Sequence, residues 1–467
     1  MKLISLLCSC CALLFSSLSL NAQQEREARM WLTTPDRTAL VAPQAAALHF
    51  SPKAGQLPAL TVDDAQHFQS IDGFGFALTG GSAQLLMRMS AAQRAALLKE
   101  LFTTGDNGIG VSYLRLSIGS SDMNERVFSY DDLPPGETDV EMAKFDLGPD
   151  RADVIPVMKE ILAIRPEIKI LGSPWSAPAW MKTNNDVKDG HLKPEFYAAF
   201  AKYFVKYIQA MHAEGIAIDA ITIENEPLNP KNTPSMAMFA EEQHTFIAKD
   251  LGPAFEKAGI RTKILLYDHN PDVLSYALSI LADPAASKYV DGTAFHLYGG
   301  AATLLAQVHD AYPKKNLYLT EQSVTEWRSG PLGIAEPVRS VMIGATRNWC
   351  RNVLLWNLAA DPHNGPHTNN GGCTGCSGAI TLDGDSATKN VAYYVLEHFS
   401  QFVPPGSVRI ASSEMEQLAS VAFVTPQHKV VLVVSNTANF PKSFAVKYHD
   451  TFFETTLPSE SVGTFVW

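Results

Sequence analysis

Two glutamates at the ends of apolar runs are the residues of this sequence best suited to chemistry. Glu226 lies near the end of the run AITIENEP, and Glu321 near the end of NLYLTEQS. Two opposed carboxyl groups can break a glycosidic bond, because one protonates the leaving oxygen while the other attacks or stabilises the anomeric carbon. Such chemistry requires a fold that brings the acidic ends of both runs to one place.

The elements that could position them are eight strand-like runs that alternate with helical patterns. They are SIDGFGFA, VSYLRLSIG, IKILGSPW, AITIENEP, KILLYDHN, GTAFHLYG, NLYLTEQS and NVLLWNLA. Short apolar strands that alternate with helices indicate parallel pairing, and eight such units predict an α/β fold, the (β/α)8 TIM barrel. An open doubly wound sheet is the alternative, but no glycine-rich phosphate loop follows the first strand.

The two ends of the chain depart from this pattern. Short β-like pieces such as AALHF and LPALTV precede the first barrel strand, and runs such as KVVLVVSN follow the last helix. We therefore expect a signal peptide at 1–22, an N-terminal β segment at 23–67, a catalytic barrel at 68–403 and a C-terminal β-sandwich at 404–467.

Functional groups of a TIM barrel lie at the carboxyl ends of its strands. These ends carry carboxylates, indoles and polar donors here, a mixture that suits a sugar better than a phosphate or a hydride carrier. The residues are Arg115 and Asp122 (strand two), Trp175 (three), Asn225 and Glu226 (four), His296 and Tyr298 (six), Glu321 (seven), and Trp356 and Asn357 (eight). Strands four and seven face each other across the mouth of such a barrel.

Glu224 competes with Glu226 for the catalytic position. Strand alternation points both side chains inward, so it does not separate them. We prefer a structural role for Glu224, as the salt-bridged partner of a cation below the site. Pro227 favours an extended backbone at Glu226, which would project that side chain from the strand exit.

Five motifs together resemble glycoside hydrolase family 30, the group that contains glucosylceramidases and β-1,6-glucanases. They are RLSIGSSD, SPWSAPAWMKTN, IENEP, HLY and LTEQS, and the resemblance covers nearly the whole chain. It implies that the N- and C-terminal β segments join into one β-sandwich side domain fused to the barrel.

The resemblance also implies roles for individual residues. Glu226 would be the general acid/base and Glu321 the nucleophile of a retaining β-glycosidase, while Arg115 and His296 would support the nucleophile. The implied substrate-binding residues are Asp122, Trp175, Asn225, Tyr298 and Trp356.

These roles require particular protonation states. Glu321 must be ionised, which a nearby guanidinium and hydroxyl favour, and Glu226 must keep its proton near neutrality, which apolar walls and a second carboxylate favour. In a retaining enzyme the two carboxyl groups lie about 5–5.5 Å apart.

The net charge bears on the binding partners of the protein, and the N-terminus bears on its location. The formal net charge of −11 argues against nucleic acid as a partner. The first 22 residues have the layout of a secretory signal peptide cut near Ala22, so we expect an exported protein, periplasmic or extracellular. A lipoprotein box around Cys8 and Cys10 is the alternative. No other segment is long and apolar enough to span a membrane.

Three cysteines follow the predicted signal peptide: Cys350, Cys373 and Cys376. Export favours a Cys373–Cys376 disulfide, with Cys350 as a buried thiol. The alternative is a zinc site formed by these two cysteines with His363 and His367. We expect the disulfide, no metal and no cofactor.

The sequence thus predicts a retaining β-glycosidase that acts on β-linked glucan, with β-1,6-glucan preferred. The loop DPHNGPHTNNGGCTGC resembles the loop after strand eight in the glucanase branch of the family. Glucosylceramidase activity is the main alternative, and xylan cleavage is less favoured because this loop offers no basic residue for a uronate. A non-catalytic carbohydrate-binding protein and a zinc hydrolase are the rivals of other classes. Exo or endo action and the oligomeric state stay open.

Overall fold

The computed structural model describes residues 26–105, 108–325 and 332–467. The predicted signal peptide, its cleavage position at Ala22 and the first three cysteines lie outside the described residues. No helix in the described ranges is long and apolar enough to cross a membrane.

Eight parallel strands close into a barrel, which confirms the predicted fold class. Each strand overlaps one of the eight predicted runs. The barrel strands one to eight are Gly73–Leu78, Tyr113–Ser117, Lys169–Ser173, Ala220–Thr222, Lys263–His269, Val290–His296, Asn316–Glu321 and Cys350–Leu355.

Helices follow the barrel strands along the chain. The α-helices are Gly80–Arg88, Ala91–Phe102, Val154–Ile164, Tyr197–Ala213, Ala240–Phe246, Gly252–Ala258, Leu274–Ala282, Pro284–Ser287, Leu305–Ala311, Ala335–Pro337, Gly344–Arg347 and Val391–Ser400. Two π-helical segments, Ile247–Leu251 and Val338–Ile343, join neighbouring helices. Short 3-10 turns are Gly148–Arg151, Ala179–Met181, Pro194–Phe196, Pro271–Val273 and Ala302–Leu304. The sequence did not predict Gly80–Arg88, because its initial glycines are typical of a turn.

The inside of the barrel is filled rather than open. One layer of apolar side chains, contributed by strands two to eight, packs together and is fully buried: Tyr113, Leu171, Ala220, Leu265, Ala294, Tyr318 and Leu354. Strand one contributes Gly75 at this level, where a Cβ would lie 1.6 Å from the carbonyl oxygen of Tyr113. This layer forms an apolar floor beneath the barrel mouth.

The terminal segments combine into a ten-stranded side sheet, the fused β-sandwich domain. Its strands are Glu27–Thr33, Ala42–Pro43, Leu48–His49, Ala59–Ser70, Val408–Ser412, Leu418–Val424, Val430–Asn436, Lys442–Tyr448, Thr451–Leu457 and Val462–Val466. Ala59–Ser70 pairs with Val408–Ser412 and runs past the predicted boundary at residue 67. Thr451–Leu457 was not predicted. A three-stranded sheet, Ala359–Ala360, Ile380–Asp383 and Ser386–Lys389, lies after barrel strand eight.

The strands next to the barrel are apolar at almost every position because both of their faces are buried. In Leu418–Val424, Leu418 and Ala422 pack inside the sandwich. Ala419, Val421 and Phe423 pack into the core that surrounds the barrel. Since side chains alternate between the faces of a strand, burial of both faces removes the polar half of the pattern.

His398 fastens the last barrel helix to the side sheet. Its two ring nitrogens hydrogen-bond the hydroxyls of Thr464, at 2.8 Å, and Thr33, at 2.9 Å. Burial lowers the pKa of His398 to about 3, so the ring is neutral at physiological pH. The two threonines come from opposite ends of the chain, so this contact joins both termini to the barrel.

We expect His398→Ala to destabilise the protein by about 2–4 kcal/mol, because it opens a cavity and leaves two buried hydroxyls without partners. Thermal unfolding measured by calorimetry, with the exposed His212→Ala as the control, tests this.

The stability should also depend on pH. In the unfolded chain His398 takes up a proton near its ordinary pKa of 6.5, whereas in the folded protein burial lowers its pKa to about 3. Wild type should therefore lose stability as the pH falls through this window, and the variant should lose less. Equal acid sensitivity of both proteins would contradict the assignment.

Candidate active site

A polar layer lies directly above the apolar floor. Its members are the next inward-facing residues of the same strands: Arg115, Ser173, Thr222, Asp268, His296 and Thr320. All except Asp268 donate a hydrogen bond to Asp268. The donors are Arg115 Nη2 at 2.8 Å, Ser173 Oγ at 2.7 Å, Thr222 Oγ1 at 2.8 Å, His296 Nε2 at 3.2 Å and Thr320 Oγ1 at 2.5 Å.

These contacts keep Asp268 charged although it is fully buried. Burial alone would raise the pKa of its carboxyl, but the charges of Arg115 and His296 and the donated hydrogen bonds lower it below its ordinary value. Asp268 is therefore a fixed anion at the centre of the barrel mouth. The sequence analysis missed it.

Arg115 connects this anion to Glu321. Its Nη1 forms an ion pair with Glu321 Oε2, and its Nη2 also donates to Asn225 Oδ1 at 2.7 Å. The guanidinium carbon lies 4.7 Å from the ring centre of Trp175. Asp268 therefore orients Arg115, and Arg115 in turn orients Glu321 and Asn225.

The other oxygen of Glu321 faces Tyr298 and His296. Tyr298 donates its hydroxyl to Oε1 at 3.0 Å, and His296 Nδ1 lies 3.9 Å from the same atom. Burial raises the pKa of Glu321 above its ordinary value, although the charges of His296 and Arg115 oppose the shift. Contacts with a guanidinium and a hydroxyl were expected here, and both are present.

His296 lies between the two acids and the buried anion. Its Nδ1 is 3.2 Å from Glu226 Oε1, and its Nε2 contacts Asp268. Burial would lower the pKa of His296, but the carboxylates of Glu321, Asp268 and Glu226 raise it to about 9. The ring is thus an imidazolium at neutral pH, and both nitrogens donate.

Glu226 follows strand four in a left-handed backbone conformation, with φ of 49°. The expectation that Pro227 holds it extended is wrong. Its backbone N–H donates to the carbonyl of Asp268 at 3.0 Å, and its carbonyl accepts from Asn229 N at 2.8 Å. These two bonds hold a conformation that costs a non-glycine residue on the order of 1 kcal/mol.

The carboxylate of Glu226 is surrounded by donors. His296 contacts Oε1, while the amides of Asn229 and Asn232 donate to Oε2 at 2.7 and 3.3 Å. Burial would raise the pKa of Glu226, but the hydrogen bond and charge of His296, the charge of His269 and the Asn229 amide lower it to about 2. In the empty site the proton lies on His296 and not on Glu226, contrary to the expectation from the sequence.

Glu226 and Glu321 are close enough to act on one bond. One carboxylate oxygen from each residue and one nitrogen of His296 all lie within 4.8 Å of one another. This separation suits a retaining pair and is shorter than the roughly 6.5–9.5 Å of inverting enzymes, which need room for a water molecule.

Glu224 takes no part in this cluster. It is fully buried, and no side chain among the described residues donates a hydrogen bond to its oxygens. The salt-bridged partner that we expected is not observed there, although the charge of Lys182 acts on it. Burial raises the pKa of Glu224 well above its ordinary value, which favours the protonated form.

An aromatic cluster forms one side of the mouth. The rings of Trp175 and Trp356 lie 5.4 Å apart and pack with Ala77, Met123 and Ala360. Trp356 lines the cleft, whereas Trp175 is 2% exposed and lies outside the cleft lining. Asn357, also expected at the mouth, is buried and accepts from Ser82 Oγ at 3.3 Å.

Cys373 and Cys376 form a disulfide that packs against this aromatic cluster and lines the cleft. The pairing removes two of the four ligands of the zinc alternative, since sulfurs in a disulfide are not thiolates. Cys350 is a buried free thiol.

The loop that carries the disulfide is tied to neighbouring loops. Thr368 N donates to the carbonyl of Asp122 at 2.9 Å, and Lys188 Nζ and Thr233 Oγ1 donate to the carbonyl of Asn370 at 2.7 and 2.5 Å. These bonds fix the disulfide as a wall of the cleft.

The resulting cleft has a volume of about 610 Å³. Asp122, Tyr298 and Trp356 line it together with both catalytic candidates. Burial and the charges of Glu321 and Glu226 raise the pKa of Asp122 well above its ordinary value. Its Oδ1 has no partner among the described residues, so it can bond a ligand hydroxyl.

Seven further polar residues of the cleft were not predicted: Asn229, Asn232, Tyr267, His269, Asn270, Asp272 and Ser323. Tyr267 and His269 belong to strand five, and Asn270 and Asp272 follow it; this strand contributed no candidate to the sequence analysis. The ending YDHN of that run was the available signal, because it places polar residues at the same barrel edge. Asn229 and Asn232 lie in the loop after Glu226, where no pattern marks them.

Comparison with known proteins agrees with this geometry. The family model "Glycosyl hydrolase family 30 TIM-barrel domain" matches residues 71–403, and "Glycosyl hydrolase family 30 beta sandwich domain" matches 406–465. An endo-1,6-β-D-glucanase of Neurospora crassa is 37% identical over 362 residues, which cover 75% of this chain and 74% of the relative.

Two other comparisons bear on the substrate. The lysosomal acid glucosylceramidase of Mus musculus is 32% identical and covers 87% of this chain and 83% of its own. The solved structure of an endo-β1,6-glucanase superposes with a TM-score of 0.87 at 36% identity, covering 94% of this chain and 99% of its own.

We expect Asp268→Asn to lower kcat by about 100-fold, because the loss of this anion releases Arg115 and His296 and displaces the carboxylates they hold. It should also lower the pKa of His296, which Asp268 helps to raise. Steady-state kinetics over a range of pH tests both effects. Asp219→Asn is the control, since Asp219 is an exposed carboxylate whose Oδ2 accepts from Ile170 N, away from the cleft. Activity of the Asp268 variant within a few-fold of wild type would contradict the role.

Proposed function

The chain belongs to glycoside hydrolase family 30, and from this membership we propose that it is a retaining β-glycosidase whose substrate is β-1,6-glucan. The observation that carries the proposal is the placement of Glu226 and Glu321 in one cleft, with carboxylate oxygens within 4.8 Å. Of these two acids, only Glu321 forms an ion pair with a guanidinium among the described residues, that of Arg115.

In the first step Glu321 attacks the anomeric carbon and Glu226 protonates the leaving oxygen. Tyr298 and Arg115 orient the attacking carboxylate through one hydrogen bond to each oxygen. The C–O bond to the leaving group breaks as the bond to Glu321 forms, giving a glycosyl ester. The proton that Glu226 needs has a source 3.2 Å away, on Nδ1 of the His296 imidazolium.

In the second step Glu226 acts as a base. Formation of the ester removes the negative charge of Glu321, and with it the repulsion between the two acids. Glu226 then takes a proton from water as that water attacks the anomeric carbon, which releases Glu321. Two inversions restore the original anomeric configuration, so the product keeps the β form.

The polar rim of the cleft favours a sugar as the leaving group. Asn229, Asn232, Asn270 and Asp272 line the cleft, the first two in contact with Glu226, and Leu228 and Val273 are its aliphatic side chains. Hydroxyl groups of a second glucosyl unit can bond to amides and a carboxylate, whereas a ceramide needs a continuous apolar surface. The glucanase relatives support the same choice, and glucosylceramide is the second candidate.

Export is part of the proposal. It rests on the signal-like N-terminus and on the Cys373–Cys376 disulfide, since disulfides persist in oxidising compartments.

Purified enzyme should release gluco-oligosaccharides or glucose from β-1,6-glucan, and Glu321→Gln should reduce kcat by roughly 10⁴-fold or more. The panel includes β-1,3-glucan, glucosylceramide and xylan, and NMR of the first product reports its anomeric form. Glu224→Gln is the matched control, because it changes a buried glutamate outside the cleft, and it should behave like wild type. Release from glucosylceramide alone would move the substrate to the second candidate. An α product at early times would exclude retention, and no product from any substrate would favour a binding protein.

The mature protein secreted by its native host should begin at Gln23. Intact mass spectrometry tests this, because signal-peptide cleavage after Ala22 removes the first three cysteines. A mass that includes a lipid on Cys8 or Cys10 would support the lipoprotein alternative, and an uncut chain would contradict export by this route.

A further inference from the structure

The free site presents a conflict between structure and chemistry. Glu226 must carry a proton to assist departure of the leaving group, yet its surroundings hold it ionised. Asn229 and Asn232, whose amides donate to Oε2 of Glu226, also line the cleft beside this acid, where the leaving group must lie. The same amides can therefore bond either Glu226 or a ligand.

We propose that Asn229 and Asn232 are positioning residues that couple the presence of a sugar on the leaving-group side to protonation of Glu226. The inference rests on the proposed function. In the empty cleft the two amides bond Oε2 and stabilise the carboxylate. When hydroxyls of the leaving-group sugar engage these amides, Oε2 loses its donors and the carboxyl takes up the proton.

The loop geometry fixes which end of Asn229 faces the acid. Its Oδ1 accepts from Lys231 N at 3.3 Å, so its NH₂ group points to Glu226. Thr233, further along the loop, bonds the disulfide-bearing loop through Asn370. The amides are thus held on a braced loop, and Asn229 and Asn232 are half-buried with access to the cleft.

The remaining charged and titratable groups around Glu226 do not depend on the leaving group in this way. They are His296, His269, Glu321, Asp122, Tyr267 and Tyr298. They lie in or just after barrel strands two, five, six and seven, whereas Asn229 and Asn232 belong to the loop that carries Glu226 itself. Substitutions at the two amides leave these six groups in place, so the variants differ from wild type only in the loop.

The test compares two substrates that share the same glycosyl part. One is a linear β-1,6-gluco-oligosaccharide, which needs acid assistance and places a sugar on the leaving-group side. The other is 2,4-dinitrophenyl β-gentiobioside, whose leaving group departs without a proton and bears no hydroxyls. Asn229→Ala should lower kcat/KM for the oligosaccharide about 10-fold or more and leave the dinitrophenyl substrate within about two-fold. Asn232→Ala should show the same pattern more weakly, since its hydrogen bond is longer.

A second readout is the pH profile of kcat/KM, which reports groups of the free enzyme. In Asn229→Ala the carboxylate of Glu226 loses one hydrogen bond, so one limb of the kcat/KM profile should move to higher pH by about one unit. Asn348→Ala is the control, because Asn348 is a half-buried asparagine outside the cleft, and its side-chain amide donates to the carbonyl of Gly344. Both limbs should stay in place in that variant.

The outcomes separate this inference from the function beneath it. If Asn229→Ala slows both substrates equally and leaves both limbs unchanged, the amides have only a structural role and the inference fails. If wild type hydrolyses neither substrate, the proposed function fails first.

Discussion

The ion pair between Arg115 and Asp268 is the interaction on which the whole site depends. Both side chains are fully buried, so each charge requires compensation that water cannot supply. Five donors converge on Asp268, and Arg115 places its remaining contacts on Glu321, Asn225 and the face of Trp175. Satisfying the buried charges therefore fixes the nucleophile candidate, its neighbouring amide and the aromatic wall in a single arrangement. Displacement of Arg115 would remove a charged partner from both Asp268 and Glu321.

The barrel makes such an arrangement possible through departures from regular pairing. Strand five pairs with strand six in a register that shifts after Ala294, and Tyr267 and Asp268 both have positive φ. Leu265 points into the barrel, so strict alternation would turn Asp268 outward, and the shift turns it inward. A second shift between Phe295 and His296 lets Thr320 and Glu321 both face the mouth. Bulges that redirect side chains are common beside active sites.

These departures explain what could be predicted from the sequence and what could not. The eight strands and the pair Glu226 and Glu321 follow from apolar runs with polar ends, which are properties of single segments. Asp268 depends on a bulge, and alternation alone assigns it to the wrong face. The protonation of Glu226 depends on His296 and on amides of a loop, so apolar walls were a poor guide to it. The strand Thr451–Leu457 has an exposed glutamate and an exposed threonine among its seven residues, so its own pattern is weak, and it is identified by its pairing with Lys442–Tyr448 along its whole length.

The balance of charge in the site has a direction that matches its chemistry. The carboxyl groups of Glu226, Glu321, Asp268 and Asp122 outnumber the cations Arg115 and His296, and burial together with the neighbouring carboxylates raises the pKa of both Glu321 and Asp122. Such an imbalance in a buried site favours any step that removes a negative charge. Ester formation at Glu321 removes one of the two neighbouring carboxylates. The proton given to the leaving oxygen comes from His296, so the anions Glu226 and Asp268 then face the single cation Arg115. The buried network thus holds the carboxylates of Glu226 and Glu321 close together, where they repel each other. A glycosyl group that bonds to Glu321 removes this repulsion.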